Sequence, residues 1–354
     1  MKKYYFSLLL IFLIGCSNDI GESTPEEKSQ EAEEVLQSEE IEILATNLNI
    51  PWTINKYGNV FYLSQRGGTI LMVEEGNVQE QKIHVTKEIN HVGEGGFLGF
   101  ILAPDFEETQ HAYAYYTYEE NGEILNRIIT LKRDGKAWNE IAVLLEGIPG
   151  GTIHNGGRIK IGPDGKLYAT TGDAGIRELA QETSSLAGKI LRLNLDGTIP
   201  SDNPFSGSYI YSYGHRNPQG LAWDEEGNLY SSEHGQSAHD EINLIKPGNN
   251  YGWPVMEGDE TASNMEAPVF HTGTDTWAPS GLTYHNGKLY IATLRGSRVM
   301  SYDINDQVTS VIYNEGSRMR DIIWEGGYLY TITNNRDGRG NPRPEDDKLI
   351  RIIP

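Results

Sequence analysis

Apolar and polar positions along this chain fall in short bursts without helical spacing, and the bursts open on one recurring phrase. It reads Gly58-Asn59-Val60-Phe61-Tyr62, Gly165-Lys166-Leu167-Tyr168, Gly227-Asn228-Leu229-Tyr230, Gly287-Lys288-Leu289-Tyr290 and Gly327-Tyr328-Leu329-Tyr330, with a weaker version at Ala112-Tyr113-Ala114-Tyr115. Each is a tight turn running into a strand of β-branched or aromatic residues. Most are followed by a second strand, such as Ile190-Leu191-Arg192-Leu193 or Val299-Met300-Ser301-Tyr302. The tyrosines Tyr62, Tyr115, Tyr168, Tyr230, Tyr290 and Tyr330 stand 53, 53, 62, 60 and 40 residues apart. Repeats of this period built only of strands predict an all-β fold, a six-bladed β-propeller over residues 41–354 whose loops gather at one end of a central channel. The segment from Lys348 to Ile352 is expected to close the ring beside an early strand.

The first forty residues break this pattern. Lys2 and Lys3 precede an apolar run from Tyr4 to Ile14, which is shorter than the roughly 20 residues that span a bilayer and reads as a secretory signal segment over residues 1–15. Its end, Leu13-Ile14-Gly15-Cys16, resembles the lipobox of bacterial lipoproteins, in which the cysteine becomes the lipidated N-terminus. From Ser17 to Glu40 there are nine acidic residues against one lysine, and none is aromatic. That composition cannot bury enough surface to order itself, so residues 16–40 read as a flexible tether. The expected location is extracytoplasmic, on the membrane only through a lipid on Cys16.

Net charge sharpens the list of partners. The chain carries -21, of which the two leading lysines supply +2 and the tether -8, so the portion from Ile41 onward is itself acidic at -15. A surface of that sign repels nucleic-acid phosphates, and no basic run offsets it. Cys16 is the only cysteine, so the propeller must hold without disulfides, through a large core or a bound metal.

Two loop-like segments carry the candidate chemistry. His154-Asn155-Gly156-Gly157-Arg158 places an imidazole before two glycines that allow a ligand close to the backbone, and a neutral imidazole there can take a proton from a hydroxyl. Gly214-His215-Arg216-Asn217-Pro218 sits between two strand-like segments. Arg318 and Arg320 alternate about Met319 and so point to one side of a strand, and Arg295 follows another strand. Guanidiniums that converge on a channel suit a ligand with several carboxylates. The stretch Glu233-His234-Gly235-Gln236, with Asp240-Glu241 and Asn249-Asn250-Tyr251-Gly252-Trp253, is rich in the oxygen donors that calcium takes, and reads equally as a solvated acidic loop. Histidine spacing for zinc is absent. Trp277 is either a stacking face for a sugar ring or a core residue at a strand start.

Taken together and in order, His154-Asn-Gly-Gly-Arg158, Gly162-Pro-Asp-Gly-Lys166, the run from Leu186 to Gly197, Gly214-His-Arg-Asn-Pro-Gln-Gly220, Asp240-Glu-Ile-Asn-Leu-Ile245 and Asn250-Tyr-Gly-Trp-Pro254 resemble the soluble quinoprotein glucose and aldose sugar dehydrogenases, from about Ile41 to the C-terminus. The resemblance implies a propeller holding pyrroloquinoline quinone and calcium that oxidises an aldose at C1 to its lactone and passes the electrons to an external acceptor. It implies that His154 is the base for the C1 hydroxyl while hydride goes to the quinone, that Arg216 and Asn217 bind the quinone, with Arg216 polarising it, and that Arg318 and Arg320 hold its carboxylates. The carbonyls of Gly235 and Gln236 match ligands of the calcium beside the quinone, and Glu241 with Tyr251 matches a second calcium. Glu94 stands where other members have glutamine, Arg295 where they have lysine, Ile153 where the glucose enzyme has an acid and Gln236 where there is proline. A carboxylate at position 94 disfavours an anionic quinone unless it is paired or protonated. The short segment between Trp253 and Trp277 implies an open site and a broad range of aldoses. Two other readings fit the same residues: a propeller that binds a sugar or surface partner without turnover, and a metal-dependent lactone hydrolase.

Overall fold

The structure, a computed structural model, describes residues 40–353; the expected signal segment, Cys16 and nearly all of the tether lie outside them. Twenty-four strands form six four-stranded antiparallel blades. Blades 1 to 5 comprise residues 51–84, 97–149, 159–213, 218–271 and 279–313 in sequence order. Blade 6 takes its three inner strands from residues 319–353 and its outermost strand from Glu40–Ala45, which pairs antiparallel with Leu349–Ile353. The expected closure is therefore present, and it removes the free edge a ring of sheets would otherwise leave. Blades 1 and 2 are also joined at their outer strands, where Lys82–His84 runs parallel to Ala137–Asn139. Helical structure among the described residues amounts to a four-residue turn at Phe106–Thr109 and a short 3-10 turn at Arg177–Ala180.

The repeated tyrosine has a definite place in this scheme. Tyr62, Tyr115, Tyr168, Tyr230, Tyr290 and Tyr330 all lie on the second strand of their blades. The core divides into six apolar clusters, one at each junction between neighbouring blades, and every cluster contains one of these tyrosines. In each case the ring packs against the following blade: Tyr168 of blade 3 meets Trp223 of blade 4, with ring centroids 5.1 Å apart, and Tyr330 of blade 6 meets Phe61 of blade 1 at 4.9 Å. A blade sandwiched between two others is buried on both faces, which is why second strands such as Leu167–Thr171 are buried throughout while the outer strand Asn77–His84 is largely exposed. Trp277 belongs to the cluster between blades 4 and 5, 5.3 Å from Phe270. It is a core residue, and the sugar-stacking role considered for it is not supported.

Strand alternation also sets where function can be mounted. In a four-stranded antiparallel blade, the chain entering the innermost strand and the turn between the second and third strands emerge at the same end. The innermost strands pack around the axis, so these twelve segments ring one mouth of the channel. Inside it, Arg158 at the entry to blade 3 forms an ion pair with Asp321 of blade 6 (3.0 Å) and donates Nε–H to the Gln219 carbonyl of blade 4 (2.8 Å). Asp321 also accepts the Ile54 amide of blade 1 (2.8 Å). Four blades are thereby tied across the channel by buried polar bonds.

Candidate active site

His154 lies on the segment that enters blade 3, with φ of 57°, in the left-handed region. Its backbone is held from several sides. The N–H donates to Glu94 Oε2 (2.8 Å), and the carbonyl accepts the Ala174 amide (3.2 Å). A side chain on Gly172 would place its Cβ 2.0 Å from that carbonyl, so glycine is required there. The ring Nδ1 lies 2.7 Å from Asp173 Oδ1. Asp173 accepts two more bonds, from the Gly175 amide (2.8 Å) and from the indole N–H of Trp253 (2.9 Å). Burial on its own raises this carboxyl, but the bonds from His154, Gly175 and Trp253 outweigh it and the net shift is downward. Asp173 is thus an ionised, acceptor-only partner, which requires Nδ1 to carry a proton, so that in the neutral ring it is the Nε2 lone pair that is free.

Arg216 reaches the same place from the entry to blade 4. Its amide and the Nδ1–H of His215 (2.8 Å) both donate to the buried Glu233, which pins the loop. Its guanidinium lies 5.3 Å from the ring of Trp253, and its carbonyl accepts the Asp173 amide (2.8 Å). Asn217 Oδ1 accepts the amide of Gly156 (3.0 Å). The two loops singled out in the sequence are therefore joined through Asp173, Trp253 and Asn217.

Next to them is a cavity lined in part by Trp52, Arg66, Glu94, Gln219, His234, Asp337 and Arg339, with Arg320 among its walls. Arg320 donates to Gln219 Oε1 (2.9 Å) and Asn334 Oδ1 (3.1 Å), and burial lowers its guanidinium to about 9, so it stays charged at neutral pH. Arg318 pairs with Asp337 at 2.8 Å, and Arg320 lies 3.9 Å from the same carboxylate, so the two arginines do share one side. Arg295 differs: it is exposed on the turn after Lys288–Thr293, and Leu294 lines the cavity in its place. Burial pushes the His234 imidazole down to about 4, so it is neutral at pH 7 and charged only under acid.

Glu94 is paired. Arg339 Nη1 sits 2.6 Å from Glu94 Oε1. Burial would raise the Glu94 carboxyl, but Arg339, the His154 amide and His234 bring it down to about 2. A carboxylate held below its ordinary value stabilises the fold above that ordinary value, and the contribution is lost as pH falls through the folded value. Glu94→Gln is accordingly expected to lower Tm at neutral pH, with the gap to the unmodified protein narrowing as pH drops from 4.5 towards about 2; thermal melts across that window check it.

The oxygen-rich stretch forms a second, smaller pocket behind Arg216, lined by Glu233, Gly235, Glu241, Tyr251, Trp253 and Glu257 among others. Glu233 and Glu241 face each other in register on adjacent strands. Burial, and next the charge of Glu233, push Glu241 up to about 8, and Glu257 Oε1 has no partner. Crowded carboxylates of this kind suit a divalent cation. Among the described residues no three His, Cys, Asp or Glu side chains converge closely enough to hold one alone, so backbone carbonyls would have to complete the shell. The Tyr251 hydroxyl is already engaged by Leu244 and Lys246, at 2.7 Å each, which leaves only its backbone oxygen. Gln236 Oε1 likewise accepts Arg177 Nη2 (2.9 Å), so its main chain is what remains for a metal.

Asp173, Trp253, Gln219, Arg66 and Arg339 were not singled out as site residues from the sequence. The signal for two of them lies in the repeat: Arg66 and Asp173, like His234, Arg295 and Asn334, follow within two residues of the end of a tyrosine-bearing second strand, where the chain turns at the channel mouth.

Residues 48–351 match the Glucose / Sorbosone dehydrogenase family model. The chain is 30% identical over 339 residues to aldose sugar dehydrogenase YliI of Escherichia coli, covering 84% of this chain and 91% of that protein. It is 38% identical over 252 residues to quinoprotein glucose dehydrogenase B of Acinetobacter calcoaceticus, covering 61% of this chain and 52% of that one. Among solved structures, the PQQ-bound aldose sugar dehydrogenase of Streptomyces coelicolor superposes with a TM-score of 0.83 at 38% identity, over 89% of this chain and 98% of that chain. The chain belongs to the Glucose / Sorbosone dehydrogenase family.

Proposed function

We propose that this protein is an aldose dehydrogenase that uses pyrroloquinoline quinone and calcium, oxidises the sugar at C1 and delivers electrons to an external acceptor. The observation that carries this reading is the His154–Asp173 pair (2.7 Å) beside loops that leave buried polar groups unmet, two of them, on His234 and Arg320, in the wall of the neighbouring cavity. Arg216 Nε, Asn217 Nδ2, His234 Nε2 and Arg320 Nε are buried without partners. Buried polar groups are rarely left so in a native protein, and a planar ligand with several carboxylates and carbonyls matches the surplus. When bound, the quinone supplies the acceptor for two electrons and the C1 hydrogen.

In this reading the protein's own residues have separate tasks. His154 Nε2 takes the C1 hydroxyl proton, and Asp173 steadies the imidazolium that results. Arg216, Asn217, Arg318 and Arg320 bind and orient the quinone, with Glu94 in the cavity wall and exposed Arg295 acting at the rim. The carbonyls of Gly235 and Gln236 serve the calcium nearest the quinone, while Glu241 and Tyr251 serve a second one. Trp253 links the two halves, since it bonds Asp173 and lies against Arg216. We further place the enzyme outside the cytoplasm, anchored by a lipid on Cys16.

Reconstitution tests the whole reading. Full-length protein given calcium and the quinone is expected to reduce an electron-accepting dye with several aldoses, and protein without the quinone is not. A chelator in excess should lower both activity and Tm, and calcium should restore them, because a ligand bound to the native state stabilises it by mass action. Sugar-independent lactone hydrolysis without the quinone would overturn the proposal.

A further inference from the structure

Glu94 and Arg339 stand 245 residues apart in the chain yet meet at the cavity wall. Glu94 comes from the segment entering blade 2, and Arg339 from the turn between the second and third strands of blade 6. One carboxylate oxygen takes the guanidinium (2.6 Å), and the other takes the amide of His154 (2.8 Å). The flanks of Glu94 are fixed as well: Arg66 donates to the carbonyls of Gly93 (2.5 Å) and Gly95 (2.8 Å). We propose that Arg339 is a positioning residue of the active site, which holds Glu94 as a paired carboxylate and through it both admits an anionic quinone and fixes the backbone of His154. The proposal rests on the quinone reading given above.

Charge pairing at the cavity is the physical reason. Two carboxylates, Glu94 and Asp337, line it, and each has a guanidinium of its own, Arg339 for the first and Arg318 for the second. Arg320 and Arg66 are left with carbonyl and amide partners or a distant carboxylate, and Arg318 keeps a buried Nε without a partner, so donors of all three remain for a ligand. Removing Arg339 alone would leave an unpaired carboxylate facing that ligand. Removing the carboxyl charge as well would abolish the repulsion, and a glutamine at position 94 can still accept the His154 amide. The Arg339 side chain is 54% exposed, so its loss takes nothing from the apolar core.

The test compares full-length unmodified protein, Arg339→Ala, Glu94→Gln and the double variant, each with calcium. Quinone is titrated and binding read from tryptophan fluorescence, with Trp52 in the cavity wall as a reporter; kcat and KM for one aldose are measured in parallel. Arg339→Ala is expected to raise the quinone Kd about three- to fivefold and to lower kcat, the upper end of what a partly exposed charge pair is worth. The double variant is expected to recover most of both losses. A Kd for Arg339→Ala within about twofold of the unmodified protein would sink the proposal. So would a double variant as weak as Arg339→Ala, since the arginine would then be acting on the ligand directly. If the unmodified protein takes up no quinone, the functional reading fails first and this proposal with it; if it binds and Arg339→Ala is indifferent, only the proposal fails.

Discussion

His154→Ala is expected to lose sugar oxidation by a factor of about 10²–10⁴ in kcat, the range general-base removal commonly costs, while quinone affinity stays near that of the unmodified protein. The imidazole is the group placed to take the hydroxyl proton, whereas the quinone would be held by Arg216, Asn217, Arg318 and Arg320. The left-handed backbone at residue 154 tolerates histidine and asparagine better than alanine. His154→Asn therefore serves as the companion variant, keeping the backbone and removing the base. Stopped-flow single turnovers with loaded enzyme separate the chemical step from acceptor reduction. Persistence of rapid sugar oxidation in both variants would remove His154 from the mechanism.

Asp173→Asn should cost about 10² or more in kcat without touching any apolar contact, because it changes the proton arrangement and not the shape. An asparagine can turn its amide N–H towards Nδ1, which then becomes the acceptor and leaves Nε2 protonated. The Trp253 indole then keeps an amide oxygen as a weaker acceptor, while the Gly175 amide, which bonds the same oxygen as Nδ1, loses its acceptor. Stability offers an independent readout. The carboxyl of Asp173 is held below its ordinary value of 3.8, so its contribution is complete above that pH and fades as pH falls through the folded value. The Tm gap between Asp173→Asn and the unmodified protein should be flat near neutrality and close under acid. Raising pH should not rescue kcat, because a misplaced proton on a neutral ring is not removed by mild base.

Much of the scaffold could be read along the chain, and the reason is local. A turn followed by Tyr on a second strand is a short-range pattern, and its recurrence from Tyr62 to Tyr330 implies the same packing partner each time, the face of the next blade. His154, Arg216, Asn217, Arg318 and Arg320 were legible because loops with paired glycines or alternating guanidiniums stand out against strands. Trp277 was ambiguous, since a tryptophan at a strand start looks the same in sequence whether its ring faces a sugar or Phe270. Asp173 was missed because a lone carboxylate after a strand has no local mark of its partner, and that partner, His154, lies on a different loop.

By itself, then, the sequence determined the class of fold, the number of blades, the closing strand and the polar loops that carry chemistry, all of which follow from periodicity and residue type. Tertiary structure alone decided which loops meet: that Asp173 orients His154, that Trp253 joins that pair to Arg216, and that Arg339 neutralises Glu94. The last of these depends on ring closure, which brings residues 245 positions apart to one mouth, the others on loops of blades 3 and 4 converging there, and all of them on charges whose effect is set by burial and partner.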